Sequence, residues 1–383
     1  PISLPPDPHF ATPSPPPTVT PTASPTPVNL TGPVTVGLAS NLPEEYASPL
    51  LAKLAHMGEI TASNGTYPLL LLDQTENATT TIEWVLLRLG GYPLAERFYA
   101  VVAPFETVVD EISLEELQLR WQGLEEGPIF TTGAATEVVS AVLGPSSAQE
   151  VSVGALLERM EEAPGSLGIV PFDELHPRLK VLTIDGHNIL DREMDRVAYP
   201  LAFALAIEGE GAPLLAQELE GMIQPATNRE ASRLTTLIMT GVTAISRGTA
   251  AAIERNNNLT YPAEVISDTL RAADITHVSN EVPFLDDCVV NNEENNLILC
   301  SHTDYWATLE AIGTDIVGLS GNHVNDFGRE GAERSLQYYR EHEIPIYGSG
   351  LNVDEACQPL IWEDHGNTFA FVAALAFGPE TAW

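Results

Sequence analysis

The chain has 383 residues, and its 17 lysines and arginines against 53 aspartates and glutamates leave a formal charge of −36. A surface this anionic excludes a general nucleic-acid binder, because no positive field exists to displace phosphate counterions. Hydrophobic residues at 44% and charged residues at 18% are ample for packed cores, which excludes global disorder, and the length points to two domains or more. The longest apolar runs, around Leu69 to Leu72 and Leu201 to Ile207, fall far short of the ~20 residues a bilayer span needs, so no transmembrane segment is expected in the chain.

Residues 1 to 33 hold 12 prolines with many Thr and Ser and the single charge Asp7. Proline fixes φ and removes backbone donors, so this segment is expected to be an extended extracytoplasmic linker, with any export signal or membrane anchor upstream of Pro1. Only Lys53 and Lys180 are lysines, and only three cysteines occur, Cys288, Cys300 and Cys357, which is compatible with one bridge.

From Val34 the pattern becomes that of an α/β domain. VTVGLA reads as a strand, residues 44 to 57 as a helix, LLLLD (69 to 73) as a strand, and TIEWVLLRLG (81 to 90) as a helix ended by Gly90 and Gly91. FYAVVAPF (98 to 105) reads as a buried strand, and Ser113 caps SLEELQLRWQG with Glu116 placed as in a capping box. GPIFTT is a strand, helices follow at Ala134 to Leu143 and Val153 to Glu161, and SLGIVPFDEL and LKVLTIDG read as the last strands of the domain.

The combination of YAVVAPF, SLEELQLRWQG, a helix opened after TTGAAT, and GSLGIVPFDELHPRLKVLTIDG resembles the type II periplasmic solute-binding proteins of the phosphate and molybdate sort, over residues 34 to 208. The resemblance implies two lobes with a ligand cleft between them. Helix N-termini near Ser40, Thr132 and Gly133 are then candidates to offer amides to a small oxyanion or other small ligand. Residues 209 to 232 read as the inter-domain linker.

A second α/β pattern fills residues 233 to 383. LTTLIMTG (234 to 241) is a strand, Thr249 to Arg255 and VISDTLRAAD (265 to 274) are helices, and ITHVSNEVPF is a strand running into Asn280 and Glu281. A helix near Tyr305 to Ile312, the strand DIVGLS and the loop GNHVNDFG come next. The stretch REGAERSLQYYREHE is an amphipathic helix, IPIYGSG a strand, NVDEACQP a short turn or helix, and LIWEDHGNTFAFVAAL a hairpin turning at His365 to Asn367. Asn280, Glu281, Asn322 and His323 thus fall just past the carboxyl ends of strands, where open α/β sheets place ligands. A carboxylate, an amide oxygen and an imidazole gathered there suit Mn²⁺, Zn²⁺ or Fe. Residue by residue, helix capping or loop bracing is the stronger explanation of His323.

The string from TGVTAISRG through ADITHVSNEVPF and GNHVNDFG to GSGLNVDEACQPLIWEDHGNTFAFVAAL, over residues 234 to 375, resembles the CapA family of bacterial capsule or poly-γ-glutamate synthesis proteins. That resemblance implies a calcineurin-like metallophosphoesterase fold, here a partial α/β sandwich, so the expected fold class is two α/β domains. Glu281 with Pro283 matches the family's Asn-Leu-Glu-x-Pro element, and Asn322, His323, Asp326 and Gly328 match Asn-Asn-His-x-x-Asp-x-Gly. The family's first metal-binding Asp is replaced by Val242, and its later His ligands are expected beyond Trp383. The implied chemistry is metal-assisted attack on a phosphoryl-type ester with Glu281, Asn322 and His323 as ligands, His323 and Asn322 as catalytic groups, and Asn280, Asp326 and Gly328 as supporting loop. The implied setting is the cell surface, with capsule or envelope polymer machinery as partner. The alternative is a solute-binding or sensing protein with a silent second domain. Cys288 and Cys300 bracket a 13-residue loop. Beside an exported linker they read as a disulfide worth about 3 kcal/mol, with two buried thiols as the alternative.

Overall fold

The computed structural model describes residues 27–40, 42–293 and 295–376. The expected Pro-rich linker therefore lies mostly outside the described residues. The chain divides into two compact units, Pro1–Arg229 and Glu230–Trp383, and both are α/β.

The first unit runs β1 Val34–Leu38, α1 Glu44–Met57, β2 Glu59–Ala62, β3 Gly65–Leu72, β4 Thr80–Leu86, β5 Tyr92–Pro104, β6 Glu111–Ile112, α2 Leu114–Trp121, β7 Ile129–Thr132, α3 Gly133–Leu143, β8 Gln149–Val151, α4 Val153–Glu161, β9 Leu167–Pro171, β10 Leu179–Ile184, β11 Ala202–Gly209 and α5 Ala212–Leu219. Its strands form one sheet in the order β2-β3-β1-β4-β11-β5-β9-β7-β8, with β10 paired to β5 and β6 paired to β10. The long strand β5 joins the two halves. Tyr92 to Phe98 pairs with β11, and Tyr99 to Pro104 with β9 and β10. Such a strand has water on neither face, which is why Phe98 to Ala103 are apolar without alternation and all buried. Helix α2 starts as the capping box requires, with Ser113 Oγ accepting from the Glu116 amide at 3.1 Å.

Three expectations fail here. TIEWVLLRLG is not a helix: Thr80, Ile82 and Trp84 alternate buried with half-buried neighbours, a period of two, and β4 then ends in a short 3₁₀ turn at Leu87–Leu89. LKVLTIDG is not the last strand, because β11 inserts between β4 and β5 with antiparallel pairing on both sides. Residues 209–229 fold with the first unit rather than linking the two. Leu215 and Leu219 of α5 are buried, and Asn228 clamps β5 by accepting from Phe98 N at 2.8 Å and donating to Phe98 O at 3.1 Å.

The second unit runs β12 Leu237–Thr243, α6 Arg247–Asn256, α7 Ser267–Arg271, β13 Ile275–Asn280, β14 Phe284–Leu285, β15 Ser301–His302, α8 Trp306–Ala311, β16 Ile316–Gly318, α9 Gly328–Glu341, β17 Ile346–Tyr347, α10 Val353–Ala356, β18 Leu360–Asp364 and β19 Asn367–Phe371. The strands β12-β13-β16-β17 form a parallel sheet. Alternation assigns its faces: Val278 and Val317 meet Ile253, Leu309, Leu336 and Tyr339 from the helices, while Ile275, Ile316 and Tyr347 meet Phe371 of the hairpin β18–β19. The helix expected over 265 to 274 forms only as the short α7. Cys288 and Cys300 are bonded, and Cys357 is free and exposed.

Candidate metal and catalytic site

Because all four strands of the sheet run in one direction, the segments after β12, β13 and β16 emerge at one edge. Ser279 is level with Gly318 of β16 and with Val242 of β12. Glu281 is half-buried directly after β13, and the loop 319–327 leaves β16 beside it. Gly321 makes the junction: a Cβ there would lie 2.2 Å from Glu281 Cβ and 2.5 Å from Glu281 Cα. Only a residue without a side chain lets the loop seat itself against Glu281, and that seating carries Asn322, which is exposed, and His323 to the same edge.

His323 is fixed by Asp326. Asp326 Oδ2 lies 2.7 Å from His323 Nδ1 and also accepts from Leu299 N at 2.7 Å. An ionised carboxylate only accepts, so His323 carries its proton on Nδ1 and turns the Nε2 lone pair away from Asp326. Both side chains are largely buried, at 18% and 15% exposed. Gly328 opens α9 with φ +66, a left-handed conformation that favours glycine at this turn.

Asn280, expected in the supporting loop, is the last residue of β13 and turns into the helix-side core. It is 1% exposed, and its Nδ2 donates to Val282 O at 2.9 Å and to Tyr339 Oη at 2.8 Å. Its contribution is to hold α9 on the sheet. Val242, where the family pattern has Asp, is 64% exposed and supplies no donor atom. Thr243 Oγ1 donates to Ser279 O at 3.1 Å. The side chains that the segments after β13 and β16 bring to this edge are one carboxylate, one amide and one imidazole, whereas a binuclear centre needs several bridging carboxylates. A cavity of about 320 Å³ lies under the Cys288–Cys300 loop, lined by Arg247, Ile298, Leu299 and Phe327 among others, and Glu281, Asn322 and His323 are not among its lining residues.

One cluster was not legible in the sequence. Asp274, Asp364 and His365 bring one ligand atom each within 4.8 Å of one another. Asp274 precedes β13 and Asp364–His365 form the hairpin turn, so this group sits at the amino end of β13, opposite Glu281. Its carboxylates are engaged, Asp274 by Thr236 N at 2.7 Å and Asp364 by Thr235 Oγ1 at 2.7 Å and His365 Nδ1 at 2.5 Å. No local motif unites residues ninety apart in the chain.

In the first unit, the α3 N-terminus expected to face an oxyanion already faces carboxylates. Glu174 accepts from Thr132 Oγ1 at 3.0 Å, and a Cβ on Gly133 would lie 2.6 Å from Glu150 Oε1. Burial raises the Glu174 pKa above its usual value, with the Thr132 hydrogen bond opposing and Asp173 adding to the shift. Two protein carboxylates at a helix N-terminus occupy the favourable field that an anion would use. The first unit's large cavity, about 1080 Å³, lies elsewhere, between Tyr92, Leu94, Pro213, Leu214 and Gln224.

Residues 236–382 match the family described as bacterial capsule synthesis protein PGA_cap, which supports a CapA-like second unit. Among solved structures, the chain is similar to an ABC-type phosphate transport receptor from Vibrio cholerae, at 10% identity over 49% of this chain and 93% of that one, with a TM-score of 0.34. It is similar to PstS from Borrelia burgdorferi, at 10% identity over 49% and 91%, TM-score 0.34. It is also similar to the reduced OxyR regulatory domain from Pseudomonas aeruginosa, at 14% identity over 50% and 98%, TM-score 0.23. No curated protein matches the chain. Among the described residues, no helix is long and apolar enough to cross a membrane.

Proposed function

We propose that the chain is an extracytoplasmic CapA-like protein of capsule or poly-γ-glutamate assembly, whose second unit holds one divalent cation, Mn²⁺, Zn²⁺ or Fe, between Glu281, Asn322 and His323. The observation that supports this reading is the seating of Gly321 on Glu281, which sets the loop that carries Asn322 and His323 against the residue following β13 at the carboxyl edge of the parallel sheet. The match over residues 236–382 supports the assignment to capsule synthesis. The Cys288–Cys300 bond supports an oxidising compartment.

When bound, the cation would polarise a phosphoryl-type oxygen and lower the pKa of water. Glu281 supplies the formal negative charge that holds it, and Asn322 adds a neutral oxygen. Asp326 keeps His323 oriented, so that Nε2 can bind the cation or, when protonated, hand its proton to a leaving oxygen. With Val242 in place of an acidic ligand the site is under-charged, so turnover of simple phosphodiesters is expected to be slow.

Mn²⁺ titration of the whole chain tests this. Glu281→Ala and His323→Ala are expected to weaken binding at least tenfold, and Val242→Asp to tighten it and raise hydrolysis of a chromogenic phosphodiester. Equal affinity in all four proteins would remove the cation site from this edge.

A further inference from the structure

The loop closed by Cys288 and Cys300 reaches the same edge, and its importance to the site rests on the reading of His323 as a cation ligand. Between the paired residues Leu285 and His302, residues 286–300 form no helix or strand among those described. Its apolar residues anchor it only in part: Val289 is 81%, Leu297 63% and Ile298 59% exposed, while Leu299 is buried and Val290 packs partly on the helix-side core. With three of its five valine, leucine and isoleucine residues left in water, the loop depends for much of its shape on its feet and on the covalent bond. The feet are the β14–β15 pairing, Ser301 Oγ on Ile245 O at 2.8 Å, and Arg334 of α9 paired with Asp286 and Asp287. One residue before Cys300, the Leu299 amide donates to the same Asp326 Oδ2 that accepts from His323 Nδ1.

We propose that the Cys288–Cys300 bond is a positioning element of the site: it holds the Leu299 amide on Asp326, and through Asp326 it keeps the His323 Nε2 lone pair directed outward. With the bond open, Leu299 N leaves Asp326. The carboxylate then loses one of its two donors and turns, and the imidazole is no longer confined to one tautomer or one ring orientation. Reduction by dithiothreitol, which gives two electrons and two thiol hydrogens to the S–S bond and departs as its cyclic disulfide, therefore loosens a site that neither cysteine touches. In metal sites, losing an outer hydrogen-bond partner of a ligating histidine lowers affinity about 10- to 100-fold, and that range is expected here.

The test uses the whole chain labelled with ¹⁵N at histidine and at the backbone, without metal, at a pH where the rings are neutral. In the wild type, His323 is expected as the Nδ1–H tautomer and the Leu299 amide as slowly exchanging. In Cys288→Ser/Cys300→Ser, and in wild type reduced with dithiothreitol, Leu299 exchange is expected to rise at least tenfold and His323 to become a tautomer mixture. Amides of β13 should be unchanged, and Cys357→Ser should behave as wild type. Asp326→Ala, which removes the acceptor shared by Nδ1 and the Leu299 amide, is the reference for complete loss of the tautomer preference. An unchanged Leu299 amide and His323 spectrum after both treatments would overturn the proposal. So would equal loss of protection in β13, which would make the bond a folding staple rather than a brace. A Mn²⁺ titration run in parallel separates the two readings. If wild type binds no Mn²⁺, the cation site fails while the amide and imidazole signals still decide the brace.

Discussion

Gly321→Ala puts the assembly of the site to its most direct test. The added Cβ would lie 2.2 Å from Glu281 Cβ, 2.5 Å from its Cα and 3.4 Å from its carbonyl oxygen. Ordinary contact begins at 3.4 Å, so the loop must retreat from β13 by about 1.2 Å. The obstructing atoms are a backbone carbon and the first side-chain carbon, which no rotamer change moves. Overpacking of this kind costs about 1–3 kcal/mol. Ligand distances in a metal site tolerate only about 0.2 Å, so the same displacement removes His323 and Asn322 from any position shared with Glu281. The expected outcome is at least tenfold weaker Mn²⁺ binding by calorimetry, with faster exchange of the amides that come after β16. Gly241→Ala is the control, since nothing lies within 4 Å of its added Cβ, and both readings should stay at the wild-type level. Wild-type Mn²⁺ affinity in Gly321→Ala, with β13 and β16 still protected, would refute the claim that this contact builds the site.

Two further outcomes concern pH. His277 is 3% exposed, stacks on Phe371 with ring centroids 6.0 Å apart and shares a 2.8 Å hydrogen bond between Nε2 and Tyr347 Oη, while its Nδ1 is buried without a partner. Burial lowers its pKa below 6.5. The unfolded chain therefore binds a proton there that the native chain does not, so stability is lost as pH falls below 6.5 toward the native value. Hydrogen exchange of β13 amides, corrected for intrinsic rates, should show that loss in wild type and less of it in His277→Phe. Glu174 has the opposite sign: its raised pKa makes the native state bind a proton more tightly than the unfolded chain, so its contribution favours folding toward pH 4.5 and fades as pH rises through the native value. Glu174→Gln, which can still accept from Thr132, should flatten the pH dependence of thermal unfolding of the first unit over that range. An unaltered slope would mean another group is responsible.

Much of the fold was legible because local pattern and tertiary environment agree. Ser113 with Glu116 announces α2, and Leu336 and Tyr339 at helical spacing announce the buried stripe of α9. The misreadings share a different cause. TIEWVLL is rich enough in apolar residues to resemble a helix face, and its alternation of two becomes decisive only once β11 and β1 lie on either side. AFALAIEG has no alternation at all, since a strand paired on both edges and covered on both faces has no polar side to display. Asn228 and Arg229 read as linker residues, yet Arg229 Nε donates to Ile189 O at 2.7 Å, a partner forty residues away that no local rule supplies. At the candidate site, types and spacing were readable for Glu281, Asn322 and His323. The turning of Asn280 toward Tyr339 and the Leu299 amide on Asp326 depend on contacts across 59 and 27 residues.

The charge of the chain and the make-up of the site bear on each other. A cation held by one carboxylate, one amide and one imidazole meets a single formal negative charge, where an Asp at position 242 would have provided a second. That shortfall lowers intrinsic affinity. The net charge of −36 acts in the other direction, because a strongly negative surface concentrates divalent cations around it and raises their occupancy at weak sites, an effect that salt screens beyond roughly 10 Å. Occupancy of this edge should therefore depend on ionic strength more steeply than that of a fully liganded centre, whose short-range coordination salt barely touches. The same surface repels anionic polymers at long range. Engagement with a capsule polyanion would then require the cation as a bridge rather than a basic groove, and the few arginines, several of them paired with acids such as Asp286, Asp287 and Glu333, do not offer one.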